Sequence, residues 1–269
     1  MTAWVEDAND VTMQIAGRWA LRLGECLHES TGSMVRAAID SGDRDLVLKV
    51  AKPHFESRDE ATGLAEWDGN ATARLVEATK FPTADVLLVE RCRPGTALST
   101  LDEPEQDHVI GTMLRRLWRP PRVASAYRSL AEMCAMWADS IRHKLPALPK
   151  EIDRGLTRAG IELYLTLPHM ATHQVLLHTD LHAGNVLASA REPWLAIDPK
   201  PYVGDPAYDA VQHLLNCDRL LHDPEELVRR NADIVGVDRD RLRQWTFARC
   251  SHESLTRPPK PEHRTGRPG

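Results

Sequence analysis

The chain has 269 residues, 42% hydrophobic and 27% charged, enough for one large or two coupled domains with a real core. Its formal net charge of -5 argues against nucleic acid as a partner, because nucleic-acid binders carry a basic footprint. No apolar run approaches a membrane span, and the acidic start Met1–Asp7 lacks the apolar stretch of a secretory signal, so no membrane contact is expected. The five cysteines lie far apart with no CxxC pair, which fits reduced thiols in a cytoplasmic protein.

In chain order, residues up to Val50 form short segments separated by turns. Ser30–Ser33 is a polar turn, Met34–Ile39 a strand, Asp40–Asp43 a turn, and Leu46–Val50 a strand of branched apolar residues carrying Lys49. Arg58 onward is helical, with no clear period after Gly69. Val86–Glu90 is a buried strand ending at the turn Arg93-Pro94-Gly95. Beyond Gly95 the pattern changes to helical spacing, over 105–118, 125–144 and 149–167, the last closed by Pro168. Two short strands follow. A helix over 206–216 has Asp205 as its cap, a second cap is Asp223 before Pro224, and the last helix covers 239–255. The result is an α+β chain. A small sheet-rich lobe (1–92) precedes a larger helical lobe (93–256), and a Pro/Arg/Gly-rich tail (257–269) is expected to be disordered.

The segment from Leu176 to Asp198 carries the chemistry. Asp180 is followed five positions later by Asn185, and Asp198 ends the apolar run Trp194–Ile197. A phosphoryl-transfer site needs these parts in this order: a base for the attacking hydroxyl, then two oxygen ligands for magnesium. His178 is expected to hold the loop. The chain has seven lysines, so Lys49 on an apolar strand stands out as a phosphate contact. Either Glu60 or Glu66 could hold it, and Glu60 is preferred because Leu64 and Trp67 then follow at helical spacing. Backbone amides around Gly32 and Ser33 would meet phosphates, and Glu90 to Cys92 would border the adenine. Asp209, inside a helix, is either a brace for the catalytic loop or an exposed acid. His178-x-Asp180-x-His182 also admits a metal-hydrolase reading, but no second ligand cluster supports it.

These residues resemble the aminoglycoside phosphotransferase family, within the protein-kinase-like fold. They are closest to its streptomycin 6-kinase and hydroxyurea phosphotransferase branch. The carrying segments are Leu177–Leu187, Arg191–Lys200 and Gly204–Asp209, with further similarity at Leu46–Val50, Glu60–Gly69 and Leu88–Gly95. The resemblance implies a two-lobed kinase with ATP in the cleft and an antiparallel sheet in the small lobe. Asp180 would be the base, Asn185 and Asp198 the Mg2+ ligands, Lys49 with Glu60 the phosphate pair, and Asp209 the brace. The acceptor would be a hydroxyl of a small molecule, a streptomycin-type aminoglycoside. Hydroxyurea, an amino sugar or another metabolite are alternatives, as is an inactive kinase fold that binds a nucleotide. Three features depart from the family: Thr179 replaces a glycine, Pro201-Tyr202 stands where the branch often has glycine, and the tail after Ser254 differs from a packed family C-terminus. The acceptor-pocket acids stay open among Asp102, Glu103, Glu105, Asp107, Glu132, Asp139 and Glu162, which also suit a solvated face. The sequence leaves oligomeric state open.

Overall fold

A computed structural model describes residues 3–149 and 152–256. The expected disorder of the tail concerns residues outside that range.

Helix α1 (Ala3–Arg18) leads into strands β1 (Arg22–Glu29), β2 (Ser33–Ile39) and β3 (Asp45–Ala51). Helix α2 (Glu60–Trp67), β4 (Leu75–Lys80) and β5 (Asp85–Glu90) complete an antiparallel sheet of order β1-β2-β3-β5-β4. The period of two in a strand sets its two faces. Leu46, Leu48 and Val50 turn inward against Ala8, Val11 and Ile15 of α1. Val47 and Lys49 therefore face the opposite way, into the cleft between the lobes.

Strand β6 (Pro94–Ala97) begins the second lobe, followed by α3 (Glu103–Leu117), α4 (Leu130–Lys144) and α5 (Arg154–Thr166). Short strands β7 (Val175–Leu177), β8 (Val186–Ser189), β9 (Trp194–Ala196) and β10 (Tyr202–Gly204) pair as β10-β7 and β6-β8-β9. Helices α6 (Pro206–Leu214), α7 (Pro224–Val235) and α8 (Arg239–Thr256) close the lobe around a core that includes Trp245, Tyr164, Leu130 and Leu176. This is the two-lobed α+β architecture read from the sequence.

Several elements differ from the sequence reading. Helix α1 replaces the expected short segments: Trp4, Ala8, Val11 and Ile15 recur at helical spacing, with Glu6, Asp7 and Asp10 exposed beside that stripe. Strand β1 is almost wholly exposed and so carries no alternating signal. The helix from Arg58 ends at Trp67 because Asp68, Gly69 and Ala71 all take positive φ, and β4 follows it. Helix α4 starts at Leu130, where Ser129 and Glu132 form a reciprocal capping box, and α5 starts after the Asp153 cap.

Gly204 lets β10 lie directly on α4, since a Cβ there would collide with the Leu130 side chain. Gly204→Ala is expected to destabilise the protein by about 1–3 kcal/mol through overpacking. Thermal unfolding checks this, and an unchanged melting temperature would show that the two elements can separate freely.

Candidate active site

Two cavities meet at the segment from Leu176 to Asp198. The larger, about 600 Å³, lies between the lobes. Lys49 enters it from β3, and its Nζ lies 2.8 Å from both Glu60 carboxylate oxygens. The same ammonium is paired with Asp198 Oδ1. Glu66 is used elsewhere, accepting from the Arg122 amide at 3.0 Å. Burial disfavours the Lys49 charge, but the carboxylates of Glu60 and Asp198 outweigh it and raise its pKa. Burial pushes Glu60 up to about 7 against the attraction of Lys49. The Asp198 carboxyl is held below its usual range because Lys49 outweighs burial.

Asp198 keeps a left-handed φ of 58° and a half-open side chain facing the cleft. Asn185 donates through Nδ2 to the Asp180 carbonyl at 2.9 Å, which leaves its amide oxygen for the cleft. One ionised carboxylate and one neutral oxygen beside open space fit a hard divalent cation. Glu90 and Cys92 line the same cleft, and Arg191 fixes the Glu90 carboxylate with contacts of 2.8 and 2.9 Å. Ser33 lines the cleft, whereas Gly32 does not. The amides of both donate to Ser30 Oγ, at 3.3 and 3.0 Å. Ser30 Oγ thus holds the turn in shape through these two amides.

The smaller cavity, about 330 Å³, lies on the other side of Asp180. Asp180 Oδ2 is 3.1 Å from Lys200 Nζ, and Lys200 is 3.3 Å from Glu56. Burial opposes the Lys200 charge, but these two carboxylates prevail and raise its pKa. Gln212 Nε2 donates to Asp180 Oδ1 at 2.8 Å. Trp137, Tyr202, Arg249, His252 and Glu253 complete the wall. Glu56 is held in place by Arg128, which donates to the Glu56 carbonyl and to Asp59 while lying 4.4 Å above the Phe55 and Tyr202 rings.

Asp209 is fully buried and accepts from the amides of His178 (3.0 Å) and Thr179 (2.6 Å) and from Trp118 Nε1 (3.0 Å). Burial raises its pKa and these three donors oppose the rise. Thr179 sits at φ 55°, where glycine is favoured, and its hydroxyl donates to the Lys200 carbonyl at 2.5 Å. That hydrogen bond ties the loop at Thr179 to the backbone of Lys200. Pro201 packs where a side chain on Gly63 would otherwise lie, so the two departures from the family pattern are structurally accommodated.

His178 is buried against Trp67, with its Nδ1 accepting from the Asp180 amide at 3.3 Å. His182 Nδ1 likewise accepts from Gly184 at 3.1 Å, so both rings serve the loop and the metal-hydrolase reading gains nothing. Among the described residues, Asp107, His213 and Cys217 form a group of potential metal ligands. Arg219 (2.8 Å) and Arg230 (3.0 Å) already neutralise Asp107 there.

Burial depresses His178 to about 3. As pH falls below the unfolded value of 6.5, the unfolded chain takes up a proton that the native state refuses. Stability is therefore lost with acidification, by at most about 1.4 kcal/mol per pH unit from this group, until about pH 3. Unfolding measured between pH 6 and 4.5 is expected to show a shallower acid loss in His178→Gln than in the wild type. Equal slopes would contradict a buried neutral His178.

None of the acids left open between an acceptor pocket and a solvated face lines the smaller cavity. Asp102 and Glu132 cap helices, while Glu103 and Asp107 are paired with Arg219. The carboxylates that line it are Glu56, Asp180 and Glu253. Sequence reading also missed Lys200, Gln212 and Arg249. Lys200 was visible as the lysine that follows Asp198-Pro199, whereas the other two carry no local signal.

The family model of aminoglycoside/hydroxyurea antibiotic resistance kinases matches residues 18–257. The chain belongs to this family. It is a phosphotransferase. A hydroxyurea phosphotransferase from Kitasatospora aureofaciens is 36% identical over 88% of this chain and 69% of its own length. A streptomycin 6-kinase from Streptomyces glaucescens is 29% identical, covering 94% and 84% respectively. A thermostable mutant of aminoglycoside phosphotransferase APH(4)-Ia superposes with a TM-score of 0.59 at 16% identity, over 90% of each chain. Its likeness supports the protein-kinase-like fold alone.

Proposed function

We propose that this phosphotransferase moves the γ-phosphoryl group of ATP to a hydroxyl of a streptomycin-type aminoglycoside, inactivating the antibiotic in the cytoplasm. The observation that carries the reading is the placement of Asp180 beside both cavities, with Lys49, Asn185 and Asp198 on the cleft side and a wall of paired charges, Glu56 with Lys200 and Glu253 with Arg249, on the other.

ATP would lie in the larger cleft, with its base near Glu90 to Cys92 and its phosphates toward Lys49. Asn185 and Asp198 would hold Mg2+, which when bound neutralises charge on the phosphates. Asp180 accepts the proton of the acceptor hydroxyl as its oxygen bonds to the γ-phosphorus. The bond from that phosphorus to the β–γ bridging oxygen breaks, and ADP leaves with the electron pair. Lys200, 3.1 Å from Asp180, supplies a fixed positive charge beside the reacting groups. Asp209 holds the loop by its His178 and Thr179 amides, so that Asp180 reaches the acceptor without reorganising.

A second reading, a compact acceptor such as hydroxyurea, is favoured by the cavity volume of about 330 Å³, at the low end for ligand sites. ADP release measured with streptomycin and hydroxyurea in parallel separates the two. Streptomycin-dependent release supports the first, release with hydroxyurea alone supports the second, and silence with both removes the antibiotic assignment.

A further inference from the structure

Gln212 has no assigned part in the site, yet it touches Asp180 directly. It is 8% exposed and lies three residues after Asp209 on α6, hence on the same helix face. Its Nε2 donates to Asp180 Oδ1 at 2.8 Å, and its Oε1 accepts from Arg249 Nη2 at 2.6 Å. Arg249 comes from α8, is 7% exposed and lies 4.9 Å over the Tyr208 ring.

An amide can be reversed end for end, and the reversed glutamine would turn its oxygen toward the Asp180 carboxylate. A guanidinium has donors only and stays charged, so it selects the amide oxygen. Arg249 thereby fixes which end of Gln212 meets Asp180. With Oδ1 taken by Gln212 and Oδ2 facing Lys200, the carboxylate cannot rotate about its own axis. Helix α6 thus holds the catalytic loop twice: by its backbone through Asp209 and by the reacting side chain through Gln212.

We propose that Arg249 and Gln212 are positioning residues that orient the Asp180 carboxylate toward the acceptor hydroxyl. This inference rests on Asp180 being the base of the proposed reaction. A small displacement of a reacting group can lower a rate by about 100-fold. Gln212→Leu is expected to lower kcat by about 10–100-fold while the KM for ATP stays at the wild-type value. Arg249→Met should do the same, and Arg249→Lys, which keeps a cationic donor, should recover most of the loss.

The deciding measurement is the double-mutant cycle on the full chain. If Arg249 acts through Gln212, the double variant is no slower than Gln212→Leu. Losses that multiply, or a wild-type kcat in Gln212→Leu, would overturn the relay. Should Arg249→Met fail to fold, Gln212→Leu and Arg249→Lys still decide, because Gln212→Leu at wild-type kcat is sufficient to refute it. Should the wild type release no ADP with any acceptor, the kinase reading fails by itself. The relay is then read from the Gln212 side-chain amide resonance. Displacement in both Asp180→Asn and Arg249→Lys supports it, and an unmoved resonance overturns it.

Discussion

Replacing Asp180 by alanine is expected to lower kcat by about 10²–10⁴-fold, the range for loss of a positioned proton acceptor, with ATP affinity unchanged. The separation follows from geometry. Asp180 lines the 330 Å³ cavity and not the 600 Å³ cleft where Lys49, Glu60 and Asp198 meet. Its removal leaves Lys200 still paired with Glu56 at 3.3 Å, so the local charge remains compensated and the fold persists. Steady-state ADP release together with calorimetric ATP titration checks both halves. A near-normal kcat would remove Asp180 from its role, and a lost ATP affinity would place it on the wrong side of the site.

Lys49→Met should be the most damaging change to the small lobe. It removes the cation shared by Glu60, whose side chain is 5% exposed, and Asp198. Stripping one partner from a buried pair leaves an uncompensated charge and destabilises a protein by about 3–5 kcal/mol. Glu60 has an outlet, because its pKa is already pushed up to about 7 and rises further without Lys49. A raised carboxyl pKa gives stability that is present at low pH and lost as pH climbs through the folded value. The variant should therefore be closer to wild-type stability at pH 6 than at pH 8. Adding Glu60→Gln should restore folding at pH 8 but not nucleotide affinity, since no cation faces the cleft. Melting curves at the two pH values and ATP titration of both variants test this. Recovery of ATP affinity in the double variant would contradict the phosphate role of Lys49.

How far the sequence reveals the site depends on whether a side chain's partners are local. Asp180, Asn185 and Asp198 lie within nineteen residues on a strand–loop–strand segment, so spacing alone brings them together. Lys49 was legible because a lysine interrupts an apolar strand, and the choice of Glu60 over Glu66 followed from helical period. The smaller cavity was less legible. Glu56, Gln212 and Arg249 come from the loop before α2 and from helices α6 and α8, with nothing in their neighbours to mark them, whereas Lys200 follows Asp198-Pro199 directly. The turn at Ser30–Ser33 shows how local hydrogen bonds escape composition. Ser30 Oγ accepts from the Gly32 and Ser33 amides, a side-chain-to-backbone contact that composition does not reveal. In the fold, the later helices were readable from their apolar stripes, the stripe of α1 was present but left unread, and β1 was hidden by its exposure.

The most direct test is product analysis by phosphorus NMR and mass spectrometry after incubating the full chain with ATP, Mg2+ and either streptomycin or hydroxyurea, alongside Asp180→Ala. A phosphate ester on the acceptor, formed with ADP by the wild type and absent in the variant, is the predicted result. ATP bound but no phosphorylated acceptor in any reaction would contradict the account and leave a nucleotide-binding protein on a kinase fold.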